Sequence, residues 1–307
     1  MNLKEAVEKS MKVNIGRIID TLCMESNINF LAEGCGYEAI RNSPFIFKAL
    51  TGKNIGYYSI MEYARYIAPY CDENEKIIVI TRGGRKLDPK VKMIMEICSL
   101  MGIEYQLIVT GRVGEVTDVR GKFEPIEIGL ENELSNPIHF LAANTITVRI
   151  AAEMGRREGW TKRAGNIIMD IEEIINEPLK VGEEFEELLK KIFEGDVVII
   201  ADPIIYGLAR EICWELNINI RTRLQTYMIG EDIRMFKGKK TGEYIIFTTE
   251  IQEDLARQIG NYYKLRGEKV MMITVKGEPL TATLKLGIPI FTEILRKLKV
   301  ERKEKKW

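Results

Sequence analysis

A short segment rich in glycine and basic residues is the part of this sequence best suited to binding chemistry. It consists of Thr81, Arg82, Gly83, Gly84, Arg85 and Lys86. Paired glycines allow unusual backbone angles, and three cations beside one hydroxyl group suit an anion. Asp88 followed by Pro89 marks a helix start, and a helix N-terminus also favours an anion. The segment therefore predicts a phosphate or carboxylate site; the alternative is a tight turn with solvated cations.

A second glycine-rich segment follows another apolar run. The residues Gly34, Cys35, Gly36 and Tyr37 come shortly after Ile28–Ala32. Both segments would then lie at the carboxyl ends of strands, where open parallel sheets bind their ligands. We expect them to share one site with the loop that carries Glu62. For Cys35 the alternative is packing of a small side chain.

The elements that must position these segments occur twice. The stretch that starts at Ile78 and the stretch that starts at Ile245 are offset by 167 residues and have the same pattern. Each pattern predicts a buried strand ending in Thr, a polar loop, an amphipathic helix and a second strand. We therefore expect an α/β fold with two doubly wound, flavodoxin-like parallel sheets related by internal duplication. The domains are predicted at residues 1–158, including an N-terminal helix and a connector helix, and 159–307.

The predicted boundaries follow from periodicity, turn residues and helix start signals. Strands are expected at Ile28–Ala32, Asn54–Ser59, Lys76–Thr81, Glu104–Val109, Glu124–Ile128, Val197–Ala201, Ile218–Arg221, Glu243–Thr248 and Lys269–Thr274. Helices in the first half are expected at Leu3–Met24, Tyr37–Leu50 and Ile60–Ile67. A connector helix is expected at Asn136–Gly155 and an acidic helix at Ile167–Phe193.

Composition limits the possible partners. The 307 residues contain 45 basic and 45 acidic side chains, a balance that argues against a nucleic-acid partner. No apolar run approaches the roughly 18 residues of a membrane span, so no membrane partner is expected. Five scattered Cys without a C-x-x-C motif indicate free thiols and a cytoplasmic location. Richness in Glu, Lys and Ile is typical of a heat-adapted source. The apolar connector helix predicts a homodimer.

The two glycine-rich segments resemble motifs of the sugar isomerase (SIS) domain family. Gly34–Glu38 is similar to its Gly-x-Gly-Ser-Ser loop, and Thr81–Asp88 is similar to its Ser-x-Ser-Gly-x-Thr-x-Glu/Asp loop. In the second half, Tyr206–Glu211 resembles the Tyr-x-x-Ala-x-Glu helix of members with two SIS domains. Gly230–Phe236 stands where those members have Gly-Glu-x-x-His-Gly-Pro, and Met61–Tyr63 resembles Ser-Glu-Phe.

This resemblance implies a function. Members with two SIS domains include the isomerase half of glucosamine-6-phosphate synthase and the fructosamine-type deglycases. A sugar phosphate or amino-sugar phosphate is the implied substrate, converted by an isomerase, deaminase or deglycase through an enediol or enolamine. No metal or other cofactor is implied, and a carboxylate of raised pKa would move the proton. The implied catalytic residues are Glu231, Glu211 and Glu62. The implied substrate-binding residues are Gly34, Cys35, Gly36, Tyr37, Thr81, Arg82, Gly83, Gly84, Arg85, Lys86 and Arg234.

Departures from the family pattern keep two alternatives open. Tyr37 and Glu38 replace the paired serines, and Arg234 stands at the position of the family's ring-opening His. A phosphosugar-binding or sensing protein without turnover is therefore the first alternative. A dinucleotide-binding protein is the second, because Gly34 and Gly36 fit part of a G-x-G-x-x-G pattern that has Ala39 in third place.

The two copies differ in their loops. Thr248–Gln252, the second counterpart of the cationic segment, contains neither glycine nor a basic residue. We therefore expect the first copy to hold the phosphate and the second to supply Glu211 and Glu231. His139, the single histidine, lies among apolar residues of the connector helix and is interpreted as a packed structural residue.

Overall fold

The computed structural model shows two compact α/β units, Met1–Ile175 and Asn176–Trp307. It describes residues 3–23, 27–71, 75–84, 87–112, 125–130, 135–177, 183–220, 222–230 and 242–304, with side chains to residue 299. Each unit contains one parallel sheet flanked by helices, which confirms the predicted fold class. The domain limit at 158/159 stays a prediction. In the division into compact units, the helix Thr161–Asn176 belongs to the first unit except for its last residue.

The first unit has its parallel strands in the order β2-β1-β3-β4-β5. These strands are β1 (Ile28–Ala32), β2 (Ile55–Ser59), β3 (Lys76–Thr81), β4 (Glu104–Val109) and β5 (Ile126–Glu127). Since β1 pairs with both β2 and β3, the chain moves to one side of β1 and then to the other. Strand order therefore reverses between β1 and β3, and we call this place the first switch point. The loops after these two strands are the glycine-rich segments of the sequence.

The second unit repeats this topology. Its strands are β6 (Val197–Ala201), β7 (Gln225–Met228), β8 (Glu243–Thr249) and β9 (Lys269–Val275). The order β7-β6-β8-β9 is that of the first four strands of the first unit, which confirms the duplication of the sheet. A second switch point lies between β6 and β8.

The helices precede, connect and follow the strands. In the first unit they are α1 (Leu3–Lys12), α2 (Gly16–Cys23), α3 (Cys35–Ile40), α4 (Ser43–Thr51), α5 (Ile60–Glu62), α6 (Pro89–Met101), α7 (Asn136–Arg157) and α8 (Thr161–Asn176). In the second unit they are α9 (Glu183–Glu194), α10 (Tyr206–Asn219), α11 (Glu253–Leu265) and α12 (Ala282–Glu304). Within the described ranges, none is long and apolar enough to cross a bilayer.

Helix α7 is the connector helix and packs against α1, α3 and α4. Of its 22 residues, 17 are buried, many of them Ala and Thr that allow close approach. Gly155 shows how close: a Cβ atom there would lie 2.5 Å from the carbonyl oxygen of Leu50. Neighbouring helices of the chain therefore cover much of the apolar surface that suggested a dimer, and the homodimer stays a prediction.

Three predicted helices are interrupted. The N-terminal helix is divided into α1 and α2, and the helix after β1 is divided into α3 and α4. The second break lies at Asn42, whose side-chain oxygen accepts a hydrogen bond from Asn144 of α7. The acidic helix is α8 and α9, with residues 178–182 outside the described ranges. Such breaks depend on contacts that a local periodicity does not contain.

The predicted strand at Ile218–Arg221 is wrong. Helix α10 continues to Asn219, and the strand begins at Gln225. The side chain of Asn217 holds the intervening loop, because its oxygen accepts from the Leu224 N–H at 2.8 Å and its amide donates to the Leu224 oxygen at 2.9 Å. A short apolar run fits a strand or a helix end equally well.

Candidate anion-binding site

Arg82 connects three elements at the first switch point. It follows β3, and its Nη2 donates a hydrogen bond to the side-chain oxygen of Asn136 at the start of α7. The same nitrogen lies 3.7 Å from the Sγ atom of Cys35 at the start of α3. Arg82 as a whole is partly buried, and these contacts fix the position of its side chain. A partly desolvated Arg with a fixed geometry is well suited to a phosphate or carboxylate.

His139 lies beside this arginine, one turn along α7 from Asn136. Its Nδ1 atom is 2.7 Å from the hydroxyl oxygen of Thr110, which directly follows β4. The imidazole is 3% exposed. Burial, with a smaller contribution from the charge of Arg82, lowers the pKa of His139 to about 3. The ring is therefore neutral near pH 7, and Arg82 is the cation of the pair.

Glycine is required at positions 34 and 36 for different physical reasons. Gly34 has a φ of 55°, and a Cβ atom there would have nothing within 4 Å. Gly36 has no such backbone angle, but a Cβ atom there would lie 2.9 Å from the Nε2 atom of His139. The first glycine therefore serves the turn, and the second makes room for the imidazole.

The Gly83-Gly84 pair extends the pairing with β4. A Cβ atom at Gly83 would lie 2.4 Å from Cγ1 of Val109, and the φ of Gly83 is 82°. The N–H of Gly84 donates to the carbonyl oxygen of Arg112 at 3.1 Å. This donor is therefore directed at the backbone rather than at an anion. Thr81, the hydroxyl residue of the segment, ends β3 and accepts from the Thr110 N–H through its carbonyl.

Tyr37 belongs to an aromatic and ionic cluster on α3 and β2. Its ring centroid is 5.7 Å from that of Tyr57, and the guanidinium of Arg41 lies 5.2 Å from the Tyr37 ring. Arg41 is also paired with Glu38 at 2.8 Å. Burial raises the pKa of Tyr37, so its hydroxyl is neutral near pH 7. Arg41 thus contacts both Tyr37 and Glu38, the two residues that stand where the SIS motif has paired serines.

Glu62 has a structural role at the start of α5. Its N–H donates to the Ser59 hydroxyl at 3.1 Å, and its carboxylate accepts from the Ser59 N–H at 3.4 Å. This reciprocal pair is a capping box, which satisfies N–H groups that a helix start would otherwise leave without partners. The carboxylate is thus engaged in the helix start.

Sequence reasoning missed Glu33, a carboxylate at the same edge of the sheet. One of its oxygens accepts from the Met61 N–H at 3.3 Å, and the other lies 3.2 Å from Nζ of Lys90. Glu33 therefore connects the loop after β1 with α5 and with the start of α6. Its position between a predicted strand and Gly34 was the signal available in the sequence. Asn136 and Thr110 were also missed as neighbours of Arg82.

The second switch point has a different chemistry. Asp202, which follows β6, is 2% exposed. One of its oxygens accepts from the Thr249 hydroxyl at 2.6 Å, and the other accepts from the Ile204 N–H at 2.9 Å. Glu211 is also 2% exposed and lies on α10, the helix predicted from the Tyr206–Glu211 motif. Arg85, Lys86, Glu231 and Arg234 lie outside the described residues.

Solved structures share this fold across nearly the whole chain. The C-terminal domain of glucosamine-fructose-6-phosphate aminotransferase from Francisella tularensis aligns with a TM-score of 0.73 and 13% identity, over 96% of this chain and 92% of that chain. A candidate phosphosugar isomerase from Silicibacter pomeroyi gives 0.71 and 13%, over 98% and 95%. Glucosamine-6-phosphate deaminase from Thermotoga maritima gives 0.63 and 12%, over 98% and 94%.

These likenesses show the fold that the motifs indicated, that of proteins with two SIS-type domains. No protein-family model matches the sequence, and no curated protein matches it. The two comparisons by sequence therefore add nothing to the structural likeness.

Proposed function

We propose that this chain binds a sugar phosphate or amino-sugar phosphate at the first switch point, with Arg82 holding the phosphate. The partly buried side chain of Arg82, held by Asn136 at the start of α7 and close to Cys35 at the start of α3, is the observation that carries the proposal. The structural neighbours named as phosphosugar enzymes support the class of ligand. Arg85 and Lys86, which continue the cationic segment, would add to the phosphate grip.

Turnover would be of the isomerase, deaminase or deglycase kind, through an enediol or enolamine and without a metal. Of the three carboxylates assigned to proton transfer, Glu62 is engaged in a capping box. Glu211 is buried on α10. We therefore assign the proton transfer to Glu231 first, with Arg234 as a second clamp for the anion. Glu231→Gln should abolish conversion of hexose and hexosamine phosphates but leave their binding intact.

Binding without turnover is the second candidate, and the engagement of Glu62 in helix capping favours it. The two candidates differ in a direct assay. Hexose 6-phosphates and hexosamine 6-phosphates are incubated with the wild type and Glu231→Gln, and products are separated by chromatography. Conversion by the wild type alone supports the enzyme. Equal absence of conversion in both proteins, with binding retained, supports the binding protein.

The binding site itself is tested by calorimetric titration with glucosamine 6-phosphate, glucose 6-phosphate and NAD. Arg82→Ala should weaken binding of the phosphosugar about 10- to 100-fold, since one charge-assisted contact is worth about 1.5–3 kcal/mol. Arg156→Ala is the matched control, because Arg156 is 61% exposed at the other end of α7 and pairs with Glu153. Equal affinity in both variants would reject the proposed site. Binding of NAD instead would favour the dinucleotide alternative.

We also propose that the chain forms a homodimer, a proposal that does not depend on the one about the ligand. Large apolar side chains remain exposed on several helices, for example Trp214 and Ile218 on α10. Light scattering distinguishes the states, and a monomer at all concentrations would reject the dimer.

A further inference from the structure

The first turns of α7 carry two polar side chains on the same face. Asn136 and His139 are three residues apart, so they lie next to each other on a helix. Asn136 accepts the hydrogen bond of the Arg82 guanidinium. His139 contacts Thr110, whose hydroxyl oxygen is 3.4 Å from the carbonyl oxygen of Arg82. One face of α7 therefore contacts the side chain of Arg82 directly and reaches its backbone through Thr110.

The imidazole also leaves no room for a side chain at position 36, on the other side of the switch point. Its Nε2 atom lies against Gly36, where a Cβ atom would be 2.9 Å away. Its Nδ1 atom is directed at the end of β4. The ring thus fills the space between the loop after β1 and the loops after β3 and β4. A neutral ring in this place does not compete with Arg82 for an anion.

We propose that His139 is a positioning residue of the phosphate site, which acts through Thr110 and Gly36 on the placement of Arg82. It does not itself touch the phosphate. This inference rests on the proposed function, because it assigns a role within that site. It changes the interpretation of the single histidine from a packed core residue to the support of the binding arginine.

A double-mutant cycle tests whether His139 acts through Arg82. Affinity for glucosamine 6-phosphate is measured by titration in the wild type, His139→Gln, Arg82→Ala and the double variant. If His139 positions Arg82, His139→Gln weakens binding about tenfold in the wild-type background and less than twofold in the Arg82→Ala background. A merely structural role would weaken the residual binding by the same factor in both backgrounds, and this outcome overturns the inference.

A second pair of variants covers the case in which His139→Gln does not fold. Thr110→Val removes the hydroxyl that links Nδ1 of His139 to the carbonyl oxygen of Arg82, whereas Thr110→Ser retains a hydroxyl in its place. We expect Thr110→Val to weaken binding about tenfold and Thr110→Ser to stay within about twofold of the wild type. Equal affinities in the two variants would overturn the inference.

The single histidine also provides a spectroscopic test that needs no assignment. The ¹⁵N signals of the imidazole in the wild type should shift when glucosamine 6-phosphate is added, and should not shift in Arg82→Ala at the same concentration. Unchanged signals in a wild type that binds the ligand overturn the inference alone. A wild type that binds none of the phosphosugars overturns the proposed function and, with it, this role of His139.

Discussion

The two switch points have the same strand order and opposite chemistry. The first combines glycine loops with the half-buried cation Arg82 and the neutral ring of His139. The second contains the buried carboxylate of Asp202, which accepts hydrogen bonds from Thr249 and from the backbone. Duplication has therefore preserved the sheet but not the groups at its carboxyl edge. A likeness of fold alone would assign both places the same function, whereas among the described side chains those at the first switch point favour an anion and those at the second do not.

The acidic residue after the first strand of each unit shows how this difference arises. Glu33 follows β1 and Asp202 follows β6. The longer side chain of Glu33 reaches Met61 on α5 and Lys90 on α6. The shorter side chain of Asp202 stays within the switch point and binds Thr249 of β8. The first carboxylate therefore links neighbouring helices, while the second makes its hydrogen bonds within its own switch point.

The largest expected effect is that of a side chain at Gly83, whose counterpart 167 residues later is Glu250. Gly83→Ala places a Cβ atom 2.4 Å from Val109 in a backbone conformation with a φ of 82°. We expect a loss of about 3–4 kcal/mol of unfolding free energy, from strain and overpacking together. Gly165→Ala on α8 is the control, because nothing lies within 4 Å of its Cβ position, and it should stabilise by about 0.5–1 kcal/mol. Urea denaturation measures both, and equal stabilities would contradict the tight pairing at β4.

The next largest effect is that of Asp202→Ala at the second switch point, which should lower stability without lowering affinity. Asp202→Ala leaves the Thr249 hydroxyl and the Ile204 N–H without their carboxylate, which should lower stability by about 2–3 kcal/mol. Affinity for glucosamine 6-phosphate should stay within about twofold of the wild type. Thermal melts and titration measure the two quantities. A large loss of affinity at full stability would contradict the assignment of the phosphate to the first switch point.

The pH dependence of stability follows from the lowered pKa of His139, about 3 in the folded chain. In the unfolded chain the pKa is about 6.5, so acidification protonates the unfolded state first. The contribution is complete above pH 6.5 and is lost as the pH falls towards 3, by about 2 kcal/mol at pH 5. Arg82, the cation that faces the ring, opposes protonation of the folded state. The unfolding free energy of His139→Gln should therefore fall by about 2 kcal/mol less between pH 7 and pH 5 than that of the wild type. An identical fall in both proteins would contradict the buried neutral ring.

The smallest effect concerns Glu62. Glu62→Ala removes one half of the capping box at α5 and should lower stability by about 1 kcal/mol. If its role is only structural, affinity for glucosamine 6-phosphate and any turnover should not change. Glu62→Gln is the matched control, since a Gln side chain retains the acceptor. A loss of turnover in both variants, at a temperature where both are folded, would return Glu62 to the catalytic residues.

The sequence predicted the strands better than the helices. The limits of β1, β3, β4 and β6 agree with those predicted, because buried parallel strands are short apolar runs between clear turn residues. The breaks between α1 and α2 and between α3 and α4 were not predicted, and neither was the true position of β7. These features depend on side chains such as Asn42 and Asn217, whose partners are distant in sequence or lie across a loop.

The candidate site was predicted in part for the same reason. The glycine loops and Arg82 could be placed because the carboxyl ends of neighbouring parallel strands must meet. Asn136 and His139 could not, since nothing local shows which face of α7 lies against Arg82. The Gly83-Gly84 pair was predicted to form a turn at an anion site, but the N–H of Gly84 donates to the carbonyl oxygen of Arg112. Glycine in a loop indicates close packing as readily as ligand binding.

The central claim is that the first switch point, and not the second, holds the phosphate. Calorimetric titration of glucosamine 6-phosphate into the wild type, Arg82→Ala and Asp202→Ala tests it most directly. The account predicts that Arg82→Ala weakens binding about 10- to 100-fold and that Asp202→Ala, measured where it is folded, changes affinity less than twofold. Retained affinity in Arg82→Ala together with lost affinity in folded Asp202→Ala would contradict it.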